Sequence, residues 1–366
     1  MEIMNTPTSS TENSVQIKVS KSDITRVGDI DFNNIPFGKV FSDHMFVVDA
    51  KDGQWNDPEI KPFGDISISP AISALHYGQA IFEGLKAYKD QSGNVSVFRP
   101  MDNHNRFNSS AKRMCMPALP GSLFMDGLSQ LLSLDRDWVP SVEGCSLYIR
   151  PVMFATTAEI KVKTSEEFKF VIMTCPVGPY YPEPVRVVIE THYARAMEGG
   201  IGYAKAAGNY GAALYPAKQA QEQGYDQLIW TDSKEHKYIE ESGTMNIVFV
   251  IDGKLHTPSL ETNTILEGIT RDSVLRLAES KGIEVLERRI LVEEIIDYCE
   301  SGQCTEAFGV GTAATLAPIA TIGFNGKDYN LPPIGNDSVS TMLMNELSNI
   351  RTGKVRDEYG WMVPIN

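Results

Sequence analysis

Apolar positions along the chain recur at two spacings, every second residue and every third or fourth, and the two kinds of segment are interleaved. Residues 39–48 (KVFSDHMFVV) carry enough β-branched and aromatic side chains for a strand, and DAKDGQW after them holds an Asp-Gly turn. From Ser69, SPAISALHYGQAIFEG predicts a helix with Pro70 in its first turn and Gly84 at its end. Ile72, Leu75, Gln79, Ala80 and Phe82 form its mostly apolar face. LKAYK and VSVFR are two strands joined by the turn DQSGN. DNHNRFNSSAKRM predicts a helix capped near Asp102, and LFMDGLSQLLSL one that turns Leu128, Leu131 and Leu132 inward. CSLYIRPVMFA and FKFVIMTC close this half as strands.

A change of texture follows. Residues 175–185 (CPVGPYYPEPV) hold four prolines and a glycine between two strand patterns, which predicts a semi-rigid connector. The expected organisation is a frayed polar tail over 1–20, a smaller domain over 21–174, the connector, and a larger domain over 186–366. The second half opens on the strand VRVVIE, then a helix through Tyr215 to Gly224 and a strand at QLIW. Two strands flank the Asp252-Gly253 turn, and TRDSVLRLAESKG is a short helix with Thr270 as N-cap and Gly282 past its end. The last helix runs from about Asp337 to Arg351. Strands outnumber helices in both halves without a strict βαβ alternation, which predicts α+β domains and not a Rossmann-type sheet.

Charge and composition narrow the function classes. A chain of 366 residues with 42% hydrophobic and 22% charged content is expected to be soluble and globular, with two domains. A net charge of −14 speaks against nucleic acid and anionic membrane as partners. No apolar run approaches a membrane span, and the N-terminus has no signal-peptide core, so the cytoplasm is the expected compartment. The five cysteines are irregularly spaced and predict free thiols, and the six histidines show no metal-ligand spacing.

One stretch stands apart. Residues 197–215 (MEGGIGYAKAAGNYGAALY) set a single lysine, Lys205, among alanines and glycines. Removing an ammonium from water favours the free amine, the form that attacks a carbonyl, and small neighbours leave room for a flat ligand against the backbone. Such an amine is most useful beside an electron sink. The usual one, pyridoxal phosphate, asks for a lysine, a group at the pyridine nitrogen, a phosphate cradle and a handle on the substrate carboxylate. EESGTMN offers Glu240 or Glu241 for the nitrogen, only one of which is expected to face inward on a strand. EGITRD places Ile269 and Thr270 at a helix start suited to an anion, with Arg106 as a second candidate. GVGTAAT at 309–315 is a glycine-bearing turn whose N–H groups suit a carboxylate. Phe37, Tyr77, Phe82, Tyr148 and Tyr210 are available to wall an apolar pocket.

Taken together, FSDHMF, LHYGQAIFEGLKAY, NHNRF, LYIRP, AKAAGNYG, EESGTMN, EGITR and GVGTA resemble the branched-chain amino acid aminotransferases in order and spacing, from about Phe37 to the C-terminus. That resemblance implies a two-domain fold-type IV pyridoxal phosphate enzyme and a homodimer with the cofactor in the interdomain cleft. It implies that Lys205 binds the cofactor covalently and shuttles a proton from the substrate α-carbon. Tyr210 would meet the cofactor's phenolic oxygen and Glu241 its pyridine nitrogen. Arg106, Ile269 and Thr270 would hold the phosphate, with Thr244 nearby. Thr312 and Ala313 would offer N–H groups to the substrate carboxylate. Phe37, Phe82, Tyr148 and Arg150 would shape the side-chain pocket, and Tyr77, Ile160 and Val162 would reach in from the other subunit. Ala314 and Ala317 stand where some animal members carry a Cys-x-x-Cys pair.

The expected reaction is reversible amino transfer between leucine, isoleucine or valine and 2-oxoglutarate, giving the branched-chain 2-oxo acid and glutamate. A D-amino acid aminotransferase or an aminodeoxychorismate lyase of the same fold is the alternative. A non-catalytic scaffold is disfavoured, because both the lysine and its acidic partner are present.

Overall fold

The structure, a computed structural model, describes residues 15–365 except 182. Two mixed sheets, each of nine strands among the described residues, share one seam. The central strands of the first are Ser146–Ala155 and Glu167–Val177, an antiparallel pair in unbroken register from Ser146–Val177 to Ala155–Phe168. Burial alternates with period two over 149–155 and 167–170 and is near-continuous at the other ends, and helices Pro100–Arg113 and Gly121–Leu134 cover one side. Leu128, Leu131 and Leu132 are fully buried there. Gly127 lets the second helix close on Phe46, since a Cβ at that point would meet the Phe46 ring within 3.0 Å.

The second sheet is built around Met245–Ile251, all seven residues of which are buried, paired with Lys254–Pro258 and Cys304–Gly311. Asp252 and Gly253 both have positive φ, the conformation a tight two-residue hairpin needs. Helices Ile269–Ser280 and Val339–Arg351 pack on one face, and Val292–Ser301 lies over a separate core on the other. Tyr88 and Phe98 of the first sheet join the core under Ile269–Ser280, so the seam between the sheets is itself packed.

Several expectations are corrected. The tail does not extend to residue 20: Val15 N–H bonds Asp126, and Lys18–Val19 pairs with Glu59–Ile60, while residues 1–14 lie outside the described residues. The helix expected from Ser69 is only Ser73–Tyr77, because Gly78 at φ 65° ends it and Ala80–Phe82 becomes a strand against Val152–Phe154. Leu75, expected inward, is exposed. Cys175–Val177 belong to a first-sheet strand and not to the connector. The final residues, expected in the second domain, return to the first sheet: Met362–Ile365 pairs with Val95–Phe98. Helix caps shift too, to Arg99 and Gly268 instead of Asp102 and Thr270. No helix among the described residues is long and apolar enough to cross a membrane.

Candidate active site

The lysine stretch threads the seam between the two halves, which is what its small residues are for. Ala204 and Ala206 are buried in the first-sheet core, and any Cβ at Gly202 would overlap the Thr264 carbonyl. Lys205 is fixed from both sides: its N–H donates to Ser110 Oγ at 2.9 Å and its carbonyl accepts from Phe82 N–H at 3.1 Å. Helix Ala207–Glu222 begins two residues later, so Tyr210 returns to the lysine after one turn. Lys205 Nζ donates to Tyr210 Oη at 2.9 Å and lies 4.9 Å from the Phe82 ring centroid. The side chain is half-buried, so the amine remains reachable from the cavity beside it.

That cavity gathers Lys205, Arg106, Tyr148, Glu241, Thr244, Ile269, Thr270 and Thr312. A neighbouring cleft shares Glu241 and Thr244 and is lined by Tyr210 and Arg195. Glu240 and Glu241 are both buried, contrary to the expectation that only one turns inward, and they point to different places. Glu240 accepts from Thr264 Oγ1 at 2.6 Å and borders a separate cavity. Glu241 accepts from Leu266 N–H at 2.9 Å and forms an ion pair with Arg195, 2.9 Å away. Burial pushes the Glu241 carboxyl up, and the Arg195 guanidinium opposes that shift. A carboxylate so held is suited to a cationic ring nitrogen.

At the other end of the cavity, helix Ile269–Ser280 starts with Gly268 as N-cap and no side-chain cap, leaving its first N–H groups to a ligand. Gly268 has no room for a Cβ, which would strike Asn246 Oδ1. Arg106 Nε and Nη2 grip both oxygens of Glu83 at 2.7 and 2.8 Å, while Nη1 donates to the Glu267 carbonyl at 2.9 Å. This fork fixes the guanidinium beside the helix start. The free N–H groups and the adjacent guanidinium suit an anion at that end.

The remaining side belongs to the hairpin turn after Cys304–Gly311 and to an aromatic rim. Arg150 Nη2 donates to Tyr148 Oη at 3.0 Å, and its guanidinium lies over Phe82 at 4.6 Å. Phe37 meets the Tyr148 ring edge-on at 5.5 Å. Gly84 permits this, since a Cβ there would collide with the Tyr148 hydroxyl.

Tyr77, Ile160 and Val162 do not reach the cavity within one chain and are exposed by 38, 72 and 83%. Two contributors escaped sequence reasoning: Arg195 and Glu83. Glu83 carried a signal, an acid between Phe82 and Gly84 in an otherwise apolar run. No group of three or more His, Cys, Asp or Glu that could hold a metal occurs among the described residues.

The profile of the family described as amino-transferase class IV matches residues 80–322. Branched-chain-amino-acid transaminase 1 of Bacillus subtilis (strain 168) is 43% identical over 340 residues, covering 92% of this chain and 95% of that one. Branched-chain aminotransferase from Thermoproteus uzoniensis, solved with norvaline, superposes with a TM-score of 0.72 at 28% identity, over 88% of this chain and 100% of that one. A T.th. branched-chain amino acid aminotransferase complexed with N-(5'-phosphopyridoxyl)-L-glutamate gives 0.69 at 25% identity, over 87% and 98%.

Proposed function

The chain belongs to the class IV aminotransferases, as a branched-chain amino acid aminotransferase of fold type IV, and within that family we propose a specific reaction. It moves an amino group reversibly between L-leucine, L-isoleucine or L-valine and 2-oxoglutarate, in two half-reactions at one site. The observation that carries this reading is the convergence of Lys205, Glu241 and the Ile269 helix start on one cavity. The T.th. relative's complex, which joins a phosphopyridoxyl group to glutamate, supports both the cofactor and the second substrate.

Pyridoxal phosphate fits these residues: an uncapped helix start and Arg106 for its phosphate, with Thr244 nearby, and the buried Glu241 for its ring nitrogen. When bound, the cofactor supplies an electron sink for the pair left on the substrate α-carbon. Lys205 would hold it covalently, and its amine, released once the substrate nitrogen takes its place, would serve as the base that moves the α-carbon proton. Tyr210, bonded to Lys205 Nζ, orients that amine. Glu241 would face the ring nitrogen, and the Arg195 guanidinium beside it favours the ionised carboxylate against the upward push of burial.

Thr312 and Ala313 N–H groups take the substrate carboxylate. Phe37, Phe82 and Tyr148 exclude water around the branched side chain, and Arg150 with Tyr148 Oη offers donors to glutamate's second carboxylate. Tyr77, Ile160 and Val162 complete the pocket of a second copy in a cytoplasmic homodimer; their exposure in the single chain supports this. The test is to supply each L- and D-amino acid with 2-oxoglutarate and measure glutamate. Turnover is expected with leucine, isoleucine and valine. Turnover with D-alanine alone, or pyruvate release without an oxo-acid acceptor, overturns the reading.

A further inference from the structure

Behind the turn that follows Cys304–Gly311 sit two cations with no counter-charge among the described residues. Lys86, on strand Leu85–Lys89, is 8% exposed, and its Nζ donates to the Ala313 carbonyl at 2.8 Å. Arg351, the last residue of helix Val339–Arg351, is 5% exposed and reaches Thr315 Oγ1 at 3.2 Å. Its guanidinium packs on Phe98 and Tyr88, at 4.2 and 5.6 Å from the ring centroids. Neither has an ion pair with a carboxylate among the described residues. Buried charges are ordinarily paired, because desolvation costs several kcal/mol per ion. Two unpaired cations side by side therefore need a reason.

The turn supplies one. Gly311 and Thr315 close the hairpin around a three-residue loop, 312–314, and Thr315 takes a φ of 65°, a strained choice for a β-branched residue. Lys86 and Arg351 hold the loop at two points, one at a carbonyl and one at that strained threonine. With the Ala313 carbonyl engaged, the loop's peptide orientation is fixed, and Thr312 of the same loop lines the cavity.

We propose that Lys86 is a positioning residue for substrate: its ammonium fixes the 312–314 loop and, with Arg351, supplies the unbalanced positive charge against which the substrate carboxylate settles. This rests on the reading of that loop as the carboxylate seat. Burial and the neighbouring Arg351 charge bring the Lys86 ammonium down to about 7, with Cys145 opposing. Tyr148 lies opposite Lys86 on the paired strand, and Tyr88, two residues along its own strand, packs under the Arg351 guanidinium. Carboxylate binding favours the charged lysine, so affinity is greatest below that value and falls as pH rises through it.

The test uses holoenzyme and 4-methylpentanoate, a branched acid without an amino group that stays ionised throughout, titrated calorimetrically. Affinity of the unmodified protein is expected to fall about tenfold between about pH 6 and about pH 9, one pKa unit of coupling. Lys86→Arg should keep the acid-side affinity and lose that slope. Lys86→Met should bind about tenfold more weakly at the acid end, with KM for leucine raised and kcat changed less than about twofold. A Lys86→Met protein with unmodified affinity and slope overturns the proposal, as does Lys86→Arg with the slope intact if the methionine variant does not fold. An unmodified holoenzyme that binds no 4-methylpentanoate overturns the carboxylate-seat reading, and this proposal with it.

Discussion

Arg195 sits 2.9 Å from Glu241, and the two reach each other from segments that share no local pattern. The pair is nearly buried, with side-chain exposures of 8 and 5%. Removing one partner of such a pair strands the other, so the arrangement makes a sharp prediction about which acid matters. Glu241→Gln should retain cofactor and lower kcat by about 100-fold to 1000-fold, the size of losing one preorganised electrostatic contact. Glu240→Gln, whose carboxylate instead meets Thr264, should stay within about fivefold of the unmodified rate, about 1 kcal/mol or less. Steady-state kinetics on both variants checks this, and the reverse pattern would contradict the site as drawn.

Gly268 bears on the phosphate end. Adding a methyl there drives Asn246 away, and Asn246 Nδ2 holds the Leu266 carbonyl at 2.9 Å beside the helix start. Gly268→Ala should therefore weaken cofactor retention by about tenfold or more, about 1.4 kcal/mol. Equilibrium dialysis against pyridoxal phosphate measures it.

Lys86 also leaves a mark on stability. Its folded pKa of about 7 lies below the ordinary value of 10.5, so between them the unfolded chain binds more protons than the folded one. Stability from this group therefore rises with pH from about 7 toward about 10, and below about 7 the full cost of burying the charge is present. Lys86→Met removes that dependence. Its Tm relative to the unmodified protein should be highest near about pH 6 and decline toward about pH 9, as scanning calorimetry at several pH values will show.

Peroxide offers a different probe. Ala314 and Ala317 cannot form a disulfide at the 312–314 turn. Cys299 and Cys304 are neighbours, and a hydrogen bond from Cys304 holds the Cys299 thiol below its usual range. They lie under the core at the far face of the second sheet. Activity should survive brief peroxide without a dithiothreitol-reversible loss. Strong inactivation fully rescued by the thiol would point to that pair as a switch.

How far the sequence could be read depends on the range of the interactions involved. Lys205 and Tyr210 are five residues apart, and their contact follows from one helical turn. Glu83 and Arg106 meet across 23 positions, and Lys86 meets Ala313 across 227, so neither contact leaves a periodic trace. The strand Met362–Ile365 was invisible for the same reason: its pairing partner is Val95–Phe98. The segment after Ser69 misled because its apolar spacing suits a helix, whereas Gly78 and pairing to Val152–Phe154 decide its fate. Burial of both Glu240 and Glu241 departs from strand alternation because each side of that strand is covered.

The central claim is that Lys205 carries the cofactor in this cavity. Holoenzyme reduced with borohydride and digested should yield one phosphopyridoxyl-modified peptide containing Lys205, by mass spectrometry. Lys205→Ala should yield none and lack transamination. A modified peptide carrying a different lysine, or full activity in Lys205→Ala, would contradict the account.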